Sequence, residues 1–171
     1  MAFPLDFFKK DCIISNMKTI DLIVGSDHRG RDLAQSIEKH IVPIDKDIKK
    51  DITSYFNAGV YDEKKKVDYP DIVKKLVSVM KDDYNRGILI CGSGYGVSIA
   101  ANRYKGIRAV VCRTPKEAEM ARRHNDANVL CLGADFTNKE ESYKIVDAFL
   151  TTKFEGGRHL RRVKKLGELC D

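Results

Sequence analysis

"GILICGSGYG", residues 87–96, is an apolar run that ends on a cysteine and passes at once into a turn with three glycines in five positions. It is short, rich in Ile and Leu, and lacks the polar–apolar alternation of a strand with one wet face, so it reads as a strand covered on both sides. The same pattern recurs. "KTIDLIVGSDH" (18–28) reads as a first strand ending at Gly25, and "GIRAVVCR" (106–113) and "ANVLCLG" (127–133) read as two more. A further strand is expected near "TSYFNAGV" (53–60), between lysine-rich flanks that read as loops.

The pieces between these runs have helical spacing. "DIVKKLVSVM" places Ile72, Val73, Leu76, Val77 and Met80 on one stripe, with Pro70 suited to its first turn. "RGRDLAQSIEKHI", "VSIAANRY", "PKEAEMARRH" and "ESYKIVDAFL" supply other helices. Strand alternating with helix requires crossover connections and a parallel sheet, so the expected fold is α/β: a three-layer α/β/α sandwich around a five-stranded, Rossmann-like parallel sheet. After the break "EGG" (155–157), "RHLRRVKKLGEL" forms a terminal helix able to reach a partner subunit.

The chain has 171 residues, enough for one core, and divides into an extension at 1–16 and a single domain at 17–171. No run approaches the roughly 20 apolar residues that cross a bilayer, and Asp6, Lys9, Lys10 and Asp11 interrupt the opening segment, so a cytoplasmic protein without membrane contact is expected. Five cysteines without CxxC or metal-ligand spacing argue against a disulfide framework and a zinc site. The net charge of +6 comes from 31 basic against 25 acidic residues spread along the chain, and the single dense basic run, 158–165, is a weak basis for nucleic-acid binding.

In an open parallel sheet the ligand crevice lies beyond the carboxyl ends of the strands. That draws attention to Asp27 and His28 after the first strand, to Cys91 and its glycines, and to His124 and Asn125 before the last strand. A turn of glycines exposes successive backbone N–H groups, which can cradle an anion and favour the thiolate of a neighbouring cysteine. Cys91 therefore reads as a nucleophile or base, whereas Cys112 and Cys131, inside apolar runs, read as small buried hydrophobes. His40 reads as a surface residue, and His159 is assigned no role. "GSGYGV" has Val97 where a dinucleotide fingerprint needs its third glycine, and no GxxxxGK[ST] occurs, so neither a nicotinamide site nor a P-loop is expected.

Taken together, "SDHRG", "DYP", "GILICGSGYGVSIAANR", "GIRAVVCRTPKEAEMARRHNDANVL" and "EGGRHLRRV" resemble the ribose-5-phosphate isomerase B family, whose relatives isomerise galactose 6-phosphate and allose 6-phosphate. The resemblance implies interconversion of an aldose phosphate and a ketose phosphate through a cis-enediolate, with no metal and no cofactor. It makes Cys91 the base that moves a proton between C2 and C1, and His124 the group that helps open the furanose. It assigns the enediolate's anion hole to the amides of Gly92, Ser93, Gly94, Tyr95 and Gly96 with Asn125. Asp27 and His28 become contacts to hydroxyls and phosphate, and Arg158 and Arg162 the phosphate grip. It further implies a homodimer or dimer of dimers, with sites built from two subunits. At two places the chain departs from the family. Asp135 stands where a further phosphate-binding arginine is expected, so that interaction is either missing or supplied by a neighbour such as Lys139, and Asn57 stands for an aspartate. Ribose 5-phosphate is the expected substrate. An isomerase of a six-carbon aldose phosphate and a non-catalytic phosphosugar-binding protein are the alternatives.

Overall fold

The computed structural model describes residues 20–41, 52–59, 65–80 and 85–169. The expected extension at 1–16, most of the lysine-rich segments either side of the second strand, and Cys12 and Cys170 lie outside them. The strands are β1 (Ile20–Ser26), β2 (Ile52–Asn57), β3 (Arg86–Cys91), β4 (Ala109–Val111) and β5 (Val129–Gly133). The helices are α1 (Arg31–Ile41), α2 (Tyr69–Val79), α3 (Tyr95–Ala101), α4 (Pro115–Asn125), α5 (Lys139–Thr151) and α6 (Gly157–Glu168). All pairings are parallel, and the strand order is β2-β1-β3-β5-β4.

Period-two alternation inside the apolar runs divides the core into two layers. Leu22 and Val24, Ile88 and Ile90, and Leu130 and Leu132 face α1, α4 and α5, where Ile37, Ala121, Ile145 and Phe149 meet them. Ile23, Leu89, Val129 and Cys131 face the opposite way, onto Ile72, Val73 and Leu76 of α2 and Val97 and Ala101 of α3. Both faces are covered, which is why these strands read as unbroken apolar runs.

The edge strand β4 is shorter than "GIRAVVCR" suggested. Side-chain amides close the ladder there: Asn102 accepts from Ala109 N at 2.8 Å and donates to Ala109 O at 2.8 Å, and Asn128 Oδ1 accepts from Arg108 N at 2.8 Å. Among the caps, Thr114 and Glu117 form a reciprocal capping box that starts α4. His40 is not a plain surface residue. Its Nε2 lies 2.9 Å from Asp147 and its ring stacks on Tyr143, tying α1 to α5.

Candidate active site

The chain leaves β1 for β2 on one side and returns to β3 on the other, so the crevice of this sheet opens between β1 and β3. Ser26 pairs with Ile90, and Asp27 N continues the ladder onto Ile90 O at 3.2 Å. Asp27 and His28 are thereby set beside Cys91. Asp27 is buried, and its Oδ1 accepts from Arg29 N (2.9 Å) and Gly30 N (3.0 Å), which fixes the turn into α1. His28 Nδ1 faces the carbonyl of Val67 at 3.3 Å; as a donor there it leaves Nε2 for a ligand.

Cys91 closes β3 on the α2–α3 side of the sheet, 5% exposed, and its Sγ accepts a hydrogen bond from Gly94 N at 3.1 Å. The thiol is thus shielded but not sealed in hydrocarbon. Cys112 and Cys131 are, and burial pushes the Cys112 thiol up to about 12 and Cys131 higher still. The glycine turn is tightly built. Gly94 takes a left-handed conformation (φ 80°), and a Cβ on Gly133 would lie 2.6 Å from Ser93 O, so β5 passes directly beneath the turn. Two of the five amides expected in the anion hole are engaged within the turn, Gly94 N with Cys91 Sγ and Tyr95 N with Ser93 Oγ at 3.3 Å. Of the amides expected there, those of Gly94 and Tyr95 thus already have partners, and the Gly94 amide is directed at the sulfur.

Two residues here were not singled out from sequence. The ring of Tyr69, from "DYP", lies over Gly96, whose Cβ would come within 2.8 Å of it. Arg29, from "SDHRG", lies over Gly92 and pairs with Asp135 at 2.6 Å. The hydrogen bond and charge of Asp135 raise the Arg29 pKa, and the guanidinium stands near Cys91. The partner of Asp135 is thus Arg29, so a cation still stands at this corner, carried by the β1 loop. Asn57 also acquires a reason: Oδ1 accepts from Gly59 N at 2.7 Å while Nδ2 points to Glu38 Oε2 at 3.4 Å, where an aspartate would set two carboxylates face to face.

His124, Asn125, Arg158 and Arg162 do not join this cluster within one chain. α4 leaves the carboxyl end of β4 and must return to the amino end of β5, so its last residues lie at the other pole of the sheet. Asn128, just beyond it, receives Gly87 N at 2.9 Å at the start of β3, whereas Cys91 pairs with Gly133 at the far end. Four residues of strand, on the order of 13 Å, separate the two. The sequence reading sought His124 and Asn125, which precede the last strand, among the residues of the crevice beyond the strand carboxyl ends; the crossover direction of α4 carries them to the opposite pole.

A second cluster forms at that pole. The rings of His124 and His159 stack with centroids 4.4 Å apart and planes at 8°. Glu155 Oε2 lies 3.8 Å from His124 Nε2 and 3.6 Å from His159 Nε2, while Oε1 is held by Arg123. Arg158 and Arg162 are exposed on the first turns of α6. His124, Glu155 and His159 are the metal-capable group among the described residues, with ligand atoms within 4.8 Å of one another. Their setting does not favour a cation: Arg123 occupies the other carboxylate oxygen, Arg158 Nε approaches His159 Nε2 at 3.4 Å, and Arg162 stands close by. The cluster suits an anion.

The chain is similar along most of its length to known proteins. Residues 22–166 match the family model described as Ribose/Galactose Isomerase. Ribose-5-phosphate isomerase B of Escherichia coli is 39% identical over 143 residues, covering 83% of this chain and 91% of that protein. The crystal structure of the Thermotoga maritima enzyme superposes with a TM-score of 0.77 at 42% identity, covering 86% of this chain and 97% of that one. The Mycoplasma genitalium enzyme with bound ribulose 5-phosphate gives 0.79 at 38% identity, covering 88% and 95%. On the fold, the strand-end cysteine with its glycine turn, and these matches, the chain belongs to the ribose/galactose isomerase family.

Proposed function

We propose that the protein interconverts D-ribose 5-phosphate and D-ribulose 5-phosphate, with Cys91 as the base. The observation that carries this reading is the Cys91 sulfur at the β1–β3 switch point, hydrogen-bonded to the amide of Gly94. Removing a proton α to a carbonyl requires a base and a place for the negative oxygen that develops, and each contributes about 10² to 10⁴ in rate. Cys91 takes the C2 proton of the open-chain aldose and returns it to C1. Amides of the glycine turn hold the enediolate oxygens meanwhile. Asp27 and His28 contact hydroxyls, and Arg29 contributes positive charge at the same mouth.

Ring opening falls to His124, a share of the anion hole to Asn125 and the phosphate grip to Arg158 and Arg162, all of which a second copy of the chain brings to this cleft. Two apolar areas support such a pairing. Tyr95, Ile99 and Phe136 are 46%, 68% and 64% exposed around the cleft, and Leu160 on α6 is 44% exposed. A homodimer burying these faces would complete two sites at once. Paired guanidinium donors suit a phosphate dianion. The reaction needs neither metal nor organic cofactor, and reduced Cys91, Cys112 and Cys131 fit work in the cytoplasm. Among the described residues no helix is long and apolar enough to cross a membrane.

The test is to incubate ribose 5-phosphate with the enzyme in deuterium oxide. Deuterium should appear at carbon in both sugars as ribulose 5-phosphate forms. Binding without exchange would leave a phosphosugar-binding protein, and faster turnover of a six-carbon aldose phosphate would move the substrate assignment.

A further inference from the structure

We infer that Glu155 is a positioning residue for ring opening, holding the His124 imidazole for proton transfer to the furanose oxygen while His159 serves as a neutral platform beneath it. The inference rests on the isomerase reading above and concerns the step before enolisation. It starts from the hydrogen-bonding capacities of the cluster. Arg158 can only donate, so its Nε at 3.4 Å makes His159 Nε2 an acceptor and places the His159 proton on Nδ1. Burial, followed by the charges of His124 and Arg158, holds His159 below the ordinary histidine value, in keeping with a neutral ring. A lone pair on His159 Nε2 cannot donate to Glu155. The Oε2 oxygen is then left to His124 Nε2, 3.8 Å away.

Glu155 is itself held in place. Its backbone N–H donates to Arg123 O at 3.1 Å, and Arg123 Nε donates to Oε1 at 2.6 Å, so the carboxylate is tied to the last turn of α4, next to the histidine it faces. The Arg123 hydrogen bond, first among its surroundings, keeps Glu155 below the usual carboxylate range and therefore ionised. His159 is only 6% exposed, and its parallel stacking limits His124 to rotation in its own plane. One face of His124 is covered by the His159 ring, one edge faces the Glu155 carboxylate at the ion-pair separation of 3.8 Å, and its side chain remains one-third exposed.

The chemistry of the substrates isolates this step. Ribose 5-phosphate closes a furanose through O4 and must be opened. Ribulose 5-phosphate carries its phosphate on O5, the oxygen a ketofuranose would need, so it is always open-chain. Glu155→Gln should slow formation of ketose from ribose 5-phosphate by roughly tenfold, a fraction of the 10² to 10⁴ that acid–base help supplies. In the same variant, deuterium exchange from solvent into ribulose 5-phosphate should stay within about twofold of wild type, because it bypasses the ring. Glu155→Asp should recover part of the missing rate. His159→Phe, which keeps a stacked ring, should be milder than His159→Ala. Equal loss in both assays, or loss in neither, would overturn the inference. Wild-type enzyme that exchanges no deuterium into ribulose 5-phosphate would remove the isomerase reading itself. Thermal melting of each variant separates a folding defect from the selective loss.

Discussion

The two poles of the sheet are built from different materials. At the carboxyl end the working parts are a shielded sulfur and main-chain amides, fixed by close backbone approaches: Gly94 at φ 80°, Gly133 against Ser93 O, and Asp27 Oδ1 on two amides. At the amino end they are charged and aromatic side chains, many of them exposed, held by one another and by Arg123. The contrast matches the two tasks that the proposed reaction would set. Charge that develops on the two enediolate oxygens must be met within a few tenths of an ångström, which rigid backbone provides. A phosphate and a ring oxygen can be met by longer side chains that settle as the substrate arrives.

If that division holds, substitutions at the two poles should fail in different ways. Cys91→Ala should lower kcat by at least about 10³ while sugar-phosphate affinity, followed by calorimetry, changes little, because the base acts only in the transition state. Parallel loss of affinity would place the sulfur in binding instead. Gly133→Ala should damage folding near the site. A methyl 2.6 Å from a backbone oxygen forces the turn to move, costing about 1–3 kcal/mol and shifting the thermal midpoint downward. Retention of full stability would mean the turn is looser than its close approaches indicate.

At the other pole, Arg162→Ala should raise KM for ribose 5-phosphate by roughly tenfold with little change in kcat, the signature of binding removed equally from ground and transition states. An unchanged KM would take Arg162 out of the phosphate grip. The smallest effect is expected at the exposed Arg29–Asp135 pair. Asp135→Asn should leave the thermal midpoint almost unchanged, as loss of an exposed surface ion pair does. Arg29→Ala should reduce kcat/KM measurably, because it also removes a charge beside Cys91. Equal, negligible effects of both would reduce the pair to surface decoration.

Local chemistry was legible in the chain; long-range pairing was not. Strands buried on both faces announced themselves through runs such as "GILIC", and the cysteine at the strand end was identifiable because glycines follow it. The edge strand β4 was legible as "GIRAVVCR" but its short extent was not, since its ladder is closed by Asn102 and Asn128, side chains whose partners lie across a turn or a neighbouring strand. Arg29 and Asp135 are separated by 106 positions, so nothing in either segment signals the ion pair. The separation of His124 from Cys91 follows from topology: a helix joining two parallel strands must end where the next strand begins, which carries the end of α4 away from every strand carboxyl terminus. His159, assigned no role from its neighbours in sequence, gains its partners only when the start of α6 folds back on the end of α4.

In the proposed enzyme one working site takes its sulfur from one copy of the chain and its ring-opening and phosphate-binding groups from another. Mixing Cys91→Ala with a His124→Ala/Arg162→Ala double variant, each nearly inactive on ribose 5-phosphate, tests it most directly. Random reassociation of two-fold dimers should place one intact site in half of them and restore roughly a quarter of wild-type activity. Activity that never exceeds the sum of the two parents under subunit exchange would contradict it.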